Sequence, residues 1–181
     1  MIATHLKIRI YGDPCLRKKS QPVKDVGMSE RMLILSMIET MHQQKGIGLA
    51  APQVGINQQI VVVDIGEGLL TLINPKVIHR KGRSVMEEGC LSLPGVVVHV
   101  RRPQEIWVEY WDEHKRPHKQ HCSELLARVI QHETDHVHGK LIVDYTPWGE
   151  KLRVRRQLKE LLTYGKVLEP ATAHRLVKKN P

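Results

Sequence analysis

The segment QHETDH, residues 131–136, places two histidines four positions apart with a glutamate after the first. In an α-helix, residues i and i+4 lie on one face, so His132 and His136 can point at the same cation. Glu133 lies one residue further round, where it can reach a water at that cation without coordinating the cation itself. The spacing predicts a helix over residues 123–138 that carries a catalytic metal site and ends at Gly139.

Two imidazoles cannot hold a catalytic metal alone, so a third ligand must lie elsewhere in the chain. In two known kinds of metal site, the third ligand follows the two histidines at a fixed distance in the sequence, so each can be checked here by position. A third histidine would fall at position 142, which is Ile142, and a glutamate on a following helix would fall near position 156, which is Arg156. Glu160 lies in a strongly basic segment. Neither arrangement completes the site.

The better candidate lies upstream, in the segment MEEGCLSLPG at residues 86–95. Cys90 lies there in a tight, glycine-containing stretch between predicted strands, and a thiolate is a strong ligand for Zn²⁺ or Fe²⁺. Together with the two histidines it gives three protein ligands and leaves a fourth position open for water, as in catalytic sites. Cys15 and Cys122 lack such a setting, and we expect Cys122 to be a packing residue.

Composition and charge narrow the class of protein. A chain of 181 residues accommodates one domain, and three cysteines in a chain without a secretory signal argue against a disulfide framework. No apolar run is long enough to cross a membrane, so we expect a cytosolic protein. The net charge is +9, and residues 151–181 hold nine Lys and Arg against two Glu. Such a segment favours polyanions or a membrane surface, or it is simply a solvated face.

The pattern of apolar residues predicts an α+β domain, with strands in the middle and helices before and after them. A first helix is predicted over residues 29–44, with Ser29 as its N-cap. A basic amphipathic helix is predicted over residues 149–164, with leucines on one side at positions 152, 158, 161 and 162. Strands are predicted at residues 59–65, 69–78, 95–100 and 105–111. Residues 1–165 are expected to form the domain, and residues 166–181 a weakly ordered basic tail.

Three segments together resemble the motifs of peptide deformylases: GIGLAAPQ at 46–53, EGCLS at 88–92 and QHETDH at 131–136. Their order and spacing match as well, and the resemblance extends from about Asp13 to Asp144. It implies an α+β fold in which antiparallel sheets pack around a central HExxH metal-binding helix. One departure lies near the start of that helix, where family members often carry a glycine and this chain has Ser123 and Glu124.

The resemblance also implies a reaction. Peptide deformylases are metal-dependent hydrolases that remove the formyl group from the N-terminal formylmethionine of nascent polypeptides. Cys90, His132 and His136 would be the ligands, with Fe²⁺ as the expected ion and Zn²⁺, Ni²⁺ or Co²⁺ as possible occupants. Glu133 would act as general base and then general acid on the attacking water. The side-chain amide of Gln53 and the backbone N–H of Leu91 would stabilise the oxyanion.

The substrate contacts follow partly from the resemblance and partly from helical spacing. By resemblance, Ile47, Gly48 and Gly89 would pair with the main chain of the substrate. Gly46 and Gly48 could instead be simple turn glycines, an alternative that stays open above all for Gly46. Apolar side chains expected to hold the methionine, unless they are ordinary core, are Ile47, Met86, Leu125 and Val129. Arg128 is unexpected on this face, and we expect its stem to line the pocket while its head reaches solvent. Asp135 is expected to be structural, paired with Arg101 or Arg102.

By resemblance, the basic helix over residues 149–164 would dock on the ribosome near the exit tunnel, and neither a membrane nor DNA is expected as a partner. A bacterial cytoplasmic origin is expected, with an organellar or phage origin left open. Two other readings are a metallopeptidase that cuts internal bonds and a basic binding module with an inactive site. A panel of formylated and unformylated peptides would distinguish these three possibilities.

Overall fold

The computed structural model describes residues 5–164, which form a five-stranded sheet, a separate two-stranded hairpin and three α-helices. The helices are α1 (Met28–Gln43), α2 (Glu124–Val137) and α3 (Lys151–Tyr164). The strands are β1 (Gly48–Ala50), β2 (Ile60–Asp64), β3 (Leu69–Lys81), β4 (Ser84–Glu88), β5 (Val98–Arg102), β6 (Glu105–Trp111) and β7 (Pro117–Ser123). The sheet has the order β1-β2-β3-β6-β7, β4 pairs with β5, and every strand pairing is antiparallel. The predicted α+β class with antiparallel sheets is confirmed, whereas the predicted tail at residues 166–181 lies outside the described residues.

The five-stranded sheet is covered on both faces near β2, which explains why that strand reads as a continuous apolar run. Ile60 and Val62 pack with α1 on one side, while Val61 and Val63 pack with α2 on the other. All four side chains are fully buried. Helix α2 therefore lies between the sheet and the β4–β5 hairpin, where its side chains can reach both.

Helix α2 agrees with the predicted range to within one residue at each end. Glu124, its first residue, has a φ of 51°, a left-handed conformation that favours glycine. This is the position near which deformylases often carry glycine. The side chain of Gln104 donates a hydrogen bond of 2.6 Å to the Glu124 carboxylate, which helps to hold this conformation. Gly139 follows the helix with a φ of 72°, and a Cβ there would lie 2.5 Å from the carbonyl oxygen of Arg17, so it ends the helix as predicted.

Several local predictions are wrong. Ser29 is not the N-cap of α1, because the helix begins after Gly27, whose N–H donates to the side chain of Glu30 at 3.0 Å. Strand β5 starts at Val98 rather than at residue 95, because Leu93–Val96 forms a turn closed by a hydrogen bond of 3.1 Å. Strands β1, β4 and β7 were not predicted. They are short or mostly exposed, so they lack the apolar alternation of a half-buried strand.

Helix α3 packs through part of the face that was predicted. Val154 is buried, and Leu158 and Leu161 pack beside it on a core cluster beneath the β4–β5 hairpin. These positions follow the i, i+4, i+7 spacing of one helical stripe. Leu152 lies on the opposite side and is 82% exposed, so its predicted place on the apolar side is wrong. Among residues 5–164, none of the helices is both long and apolar enough to traverse a bilayer.

Candidate metal centre and active-site cleft

The three predicted metal ligands meet at one point. The Cys90 Sγ and the His136 Nε2 are 3.2 Å apart, and the Nε2 atoms of His132 and His136 are also 3.2 Å apart. In the described part of the chain, this is the one group of three or more potential ligands whose donor atoms all lie within 4.8 Å of one another. Helix α2 supplies both histidines, and the turn that follows β4 supplies the cysteine.

These residues fit a transition-metal cation. Bonds of about 2.0–2.3 Å to imidazole and thiolate place neighbouring donor atoms on the order of 3–4 Å apart in a tetrahedral site, as observed here. Burial lowers the pKa of His136, which favours the neutral imidazole that ligation requires. One thiolate and two imidazoles suit iron and zinc alike, so the donor set defines a class of metal and no single ion.

A buried network of charges orients His132. Its Nδ1 lies 3.0 Å from the carboxylate of Glu88, the kind of partner that fixes the ring of a ligating histidine. Glu88 also accepts two hydrogen bonds from Arg102, at 2.7 and 2.9 Å, and Arg102 donates a third, at 2.7 Å, to Asp135. Burial alone would raise the pKa of Glu88, but the bonds from His132 and Arg102 outweigh it and lower the pKa to about 2. The predicted pairing of Asp135 is thus confirmed for Arg102.

Glu133 lies beside the ligands in a buried position. Its side chain is directed toward β1, where a Cβ placed on Gly48 would come within 2.5 Å of its Oε1. Its Oε2 has no hydrogen-bond partner within residues 5–164. Burial raises the pKa of this carboxyl to about 7, so the group is poised to exchange a proton near neutral pH. A cation at the neighbouring ligands would favour the charged form and move that pKa down.

Gln53 lies on the other side of the cysteine and is 1% exposed. Its Oε1 accepts a hydrogen bond of 2.7 Å from the N–H of Ala50, which fixes the orientation of the amide. Its Nε2 then faces the site, 3.5 Å from Cys90 Sγ and 3.4 Å from Ser92 Oγ. The amide therefore presents a fixed donor beside the metal ligands.

A cleft of about 490 Å³ opens onto this centre. Its lining includes Cys90, His132, Glu133, Gln53 and Leu91. The lining also includes every residue predicted to bind substrate, namely Ile47, Gly48, Gly89, Met86, Leu125 and Val129. Val129 is buried, whereas Ile47, Met86 and Leu125 are each more than two-fifths exposed, as expected for side chains that line an open pocket rather than a core. Cys122 is buried between the sheet and α2, which confirms its role in packing.

Comparison with known proteins agrees with this arrangement. The family model described as "Polypeptide deformylase" matches residues 5–151. This chain therefore belongs to the polypeptide deformylase family. The chain is similar to peptide deformylases of Alkalilimnicola ehrlichii, with 43% identity over 90% of this chain and 93% of that protein, and of Nitrosococcus oceani, with 46% identity over 84% and 93%.

Solved structures show the same fold. A peptide deformylase from Legionella pneumophila superposes with a TM-score of 0.84 at 34% identity, covering 91% of this chain and 99% of that one. A Synechococcus elongatus peptide deformylase, solved in complex with actinonin, has a TM-score of 0.79 at 38% identity and covers 94% of each chain. The predicted family and enzyme class are confirmed: this chain is a hydrolase that deformylates N-terminal formylmethionine.

One prediction about the deformylase cleft is wrong. The head of Arg128 does not reach solvent, because the residue is only 5% exposed and its guanidinium bonds to Glu88, Val100 and Ser84. Helical spacing correctly placed its stem at the cleft but could not reveal acceptors on the β4–β5 hairpin. The EGCLS motif predicts no role for Glu88 or Ser92. The signal that the sequence offers for Glu88 is a carboxylate two residues before the candidate ligand Cys90.

Gly48 gives a direct test of how closely β1 approaches the deformylase centre. A Cβ at this position would lie 2.5 Å from Glu133 Oε1 and 2.8 Å from Val129 Cγ1. Gly48→Ala is therefore expected to displace the Glu133 carboxylate and to lower kcat about 10²-fold, the cost of a displacement of about 1 Å. The measurement is kcat for formate release with metal content determined in the same sample.

The matched control for Gly48 is Gly149→Ala, because an added Cβ there meets no atom within 4 Å. This control is expected to leave kcat unchanged. Wild-type kcat in Gly48→Ala would show that the Glu133 carboxylate tolerates the displacement.

Proposed function

We propose that this chain carries out deformylation with Cys90, His132 and His136 as metal ligands, Glu133 as proton carrier, and Gln53 and Leu91 as oxyanion donors. The observation that carries the proposal is the convergence of these groups at the inner end of one cleft. A divalent cation held by the three ligands would lower the pKa of a water and polarise the formyl oxygen. Fe²⁺ is the proposed native ion, and Zn²⁺, Ni²⁺ or Co²⁺ would fit the same donors.

Glu133 performs the proton transfers of the proposed reaction. Its carboxylate accepts a proton as the water oxygen attacks the formyl carbon, and it returns the proton to the leaving nitrogen as the C–N bond breaks. The products are formate and a free N-terminal amine. Burial raises the pKa of this carboxyl and a cation at the ligands would lower it again, and these opposing effects suit a group that both accepts and returns a proton.

The oxyanion that develops on the formyl oxygen requires fixed donors. The Nε2 of Gln53 faces Cys90, and the amide cannot turn away, because its Oε1 is held by the N–H of Ala50. Leu91 follows the cysteine directly, so its backbone N–H lies next to the same point. Donors fixed before the reaction need no reorganisation during it, and each is typically worth about 10²–10³ in rate.

The substrate main chain is proposed to dock along the outer edge of β1. The carbonyl of Ile47 accepts a hydrogen bond of 3.0 Å from the N–H of Asp64, so it points toward β2. Because successive residues of a strand point to opposite edges, the N–H and C=O of Gly48 point toward the cleft. An extended peptide could add there as a further strand, with Gly89 on its other side and its methionine among Ile47, Met86, Leu125 and Val129.

The test is formate release from formyl-Met-Ala-Ser by protein purified without oxygen, with metal quantified in the same sample. Cys90→Ala is the key variant, and Cys122→Ala is the matched control, because Cys122 is a core cysteine away from the cleft. We expect about one metal per chain and rapid release in the wild type and the control, and loss of both in Cys90→Ala. Full metal content in Cys90→Ala would exclude Cys90 as the third ligand, and an inactive, metal-loaded wild type would contradict the proposed reaction.

We further propose that helix α3 docks on the ribosome and that the protein acts in the cytoplasm on nascent chains. The exposed basic residues of α3 are Lys151, Arg153, Arg155, Arg156 and Lys159. Arg153 is already engaged, since it donates to the carbonyl of Val97 at 3.0 Å and pairs with Glu150. Lys151 lies over the ring of Trp148, 4.8 Å from its centroid. Arg155, Arg156 and Lys159 are the residues proposed to meet phosphate, since the pairing of Arg156 with Glu160 is long, at 3.8 Å, and both side chains are exposed.

Charge reversal tests docking better than deletion, because removing α3 would also uncover the core cluster that Val154 covers. Changing Arg155, Arg156 and Lys159 to Glu is expected to abolish salt-sensitive co-sedimentation with ribosomes, since each lost phosphate contact reduces the salt dependence. Formate release in solution should be unchanged. The control reverses Lys24, Lys76 and Lys119, which are exposed elsewhere. Equal co-sedimentation of both triple variants would contradict docking through α3.

A further inference from the structure

Arg128 makes an unusual set of contacts for a residue at the cleft. It lies on α2 one turn before His132, and its side chain crosses to the β4–β5 hairpin. One nitrogen of its guanidinium donates to Glu88 Oε1 at 2.6 Å and to the carbonyl of Val100 at 3.1 Å. The other donates to the carbonyl and the hydroxyl of Ser84, at 3.0 and 3.1 Å. A single buried cation therefore holds both strands of the hairpin against the helix.

The positions of these acceptors along β4 are informative. Ser84 and Glu88 are the first and last residues of the strand, and Met86 lies midway between them. Because side chains alternate along a strand, these three residues point to the same face. Arg128 therefore bonds to β4 on both sides of Met86, which lines the cleft from the hairpin, while Leu125 and Val129 line it from α2.

We propose that Arg128 is a positioning and specificity-determining residue, which sets the gap between Met86 and helix α2 and so limits the size of the first side chain that the deformylase accepts. This inference rests on the proposed function of the cleft. Arg102 binds Glu88 through two further hydrogen bonds, so the carboxylate stays paired without Arg128. Ser84 stays paired with Arg102 of β5 in the hairpin. Within residues 5–164, however, Arg128 is the side chain that bonds to Ser84, so its loss frees the first half of β4 from α2.

The test compares Arg128→Met, which keeps the length of the stem but removes the guanidinium, with wild type. The substrates are formyl-Met-Ala-Ser and formyl-Phe-Ala-Ser. The preference for methionine, as a ratio of kcat/KM values, is expected to fall about tenfold in Arg128→Met, mainly through a higher KM for the methionine peptide. Backbone amides of β4 in the metal-free protein are expected to exchange faster with solvent.

Two further variants make the result decisive. Arg83→Met removes an exposed arginine next to Ser84, and it is expected to retain the wild-type preference. Arg128→Lys retains the positive charge but lacks the planar guanidinium that bonds to Ser84 and Glu88 at once, so an intermediate preference for methionine is expected. If Arg128→Met does not fold, the preference of Arg128→Lys tests the proposal. An unchanged preference in the folded variants would overturn the role of Arg128. Absence of formate release from the wild type would instead overturn the proposed function, so the two failures are distinguishable.

Discussion

Replacing Glu133 by Gln is expected to lower kcat for deformylation about 10²–10⁴-fold, the usual contribution of a positioned acid or base. The amide has the shape of the carboxyl but cannot accept and return a proton. Glu133 is only 4% exposed, so bulk water cannot easily take over its role. The proposed ligands are Cys90, His132 and His136, so the bound metal should remain at about one per chain.

The measurement is kcat and KM for a formyl-Met peptide, together with metal content, in Glu133→Gln and in Glu124→Gln. Glu124 lies on the same helix and is exposed, so the control makes the same chemical change away from the cleft. A kcat in Glu133→Gln within a factor of ten of wild type would remove Glu133 from the proton transfers. A loss of activity that merely tracks a loss of metal would make it a determinant of metal binding instead.

The helix that carries Glu133 could be predicted because the pattern that specifies it lies within a few neighbouring residues. The i, i+4 spacing of His132 and His136 fixes both the element and the face, whatever packs around it. Cys90 was found by a different signal, a cysteine in a glycine-containing turn, since its partners are distant in sequence. Cys90 reaches helix α2 because it follows β4 of the β4–β5 hairpin. The sequence predicted β5 but not β4, so it did not predict this hairpin.

The failures share a physical cause, which is that burial depends on distant partners. Arg128 was expected to reach solvent because a helical wheel shows the face of α2 and not the acceptors on the hairpin. Leu152 was placed on the apolar side by residue type, yet α3 contacts the core cluster beneath the hairpin through Val154, Leu158 and Leu161. Strand β7 escaped notice because its exposed histidines and lysine carry no alternating pattern, although it pairs with β6 along its whole length.

Replacing Arg102 by Met is expected to lower the stability of the fold substantially. Its guanidinium is 5% exposed and bonds to Glu88 and Asp135, whose side chains are 5% and 18% exposed. Removing one member of a buried ion pair costs about 3–5 kcal/mol when the charge left behind is uncompensated. Glu88 keeps Arg128 and His132 as partners, so the loss falls mainly on the partly buried Asp135, and a cost at the low end, about 3 kcal/mol, is expected. For a chain of this size, that corresponds to a fall in Tm of about 6–12 °C.

The Arg102 experiment must separate folding from metal binding, because a bound metal stabilises the folded state by mass action. Unfolding by denaturant is therefore measured in the metal-free protein, for Arg102→Met and for the neighbouring exposed position as Arg101→Met. The control is expected to change the free energy of unfolding by no more than about 0.5 kcal/mol, as is usual for surface positions. If both variants unfold at the same denaturant concentration, Arg128 and His132 suffice for Glu88, and Asp135 does not need Arg102. A large loss in Arg102→Met alone would show that the charge network behind His132 is part of the fold itself, so that the residues orienting the ligand also hold the hairpin to α2.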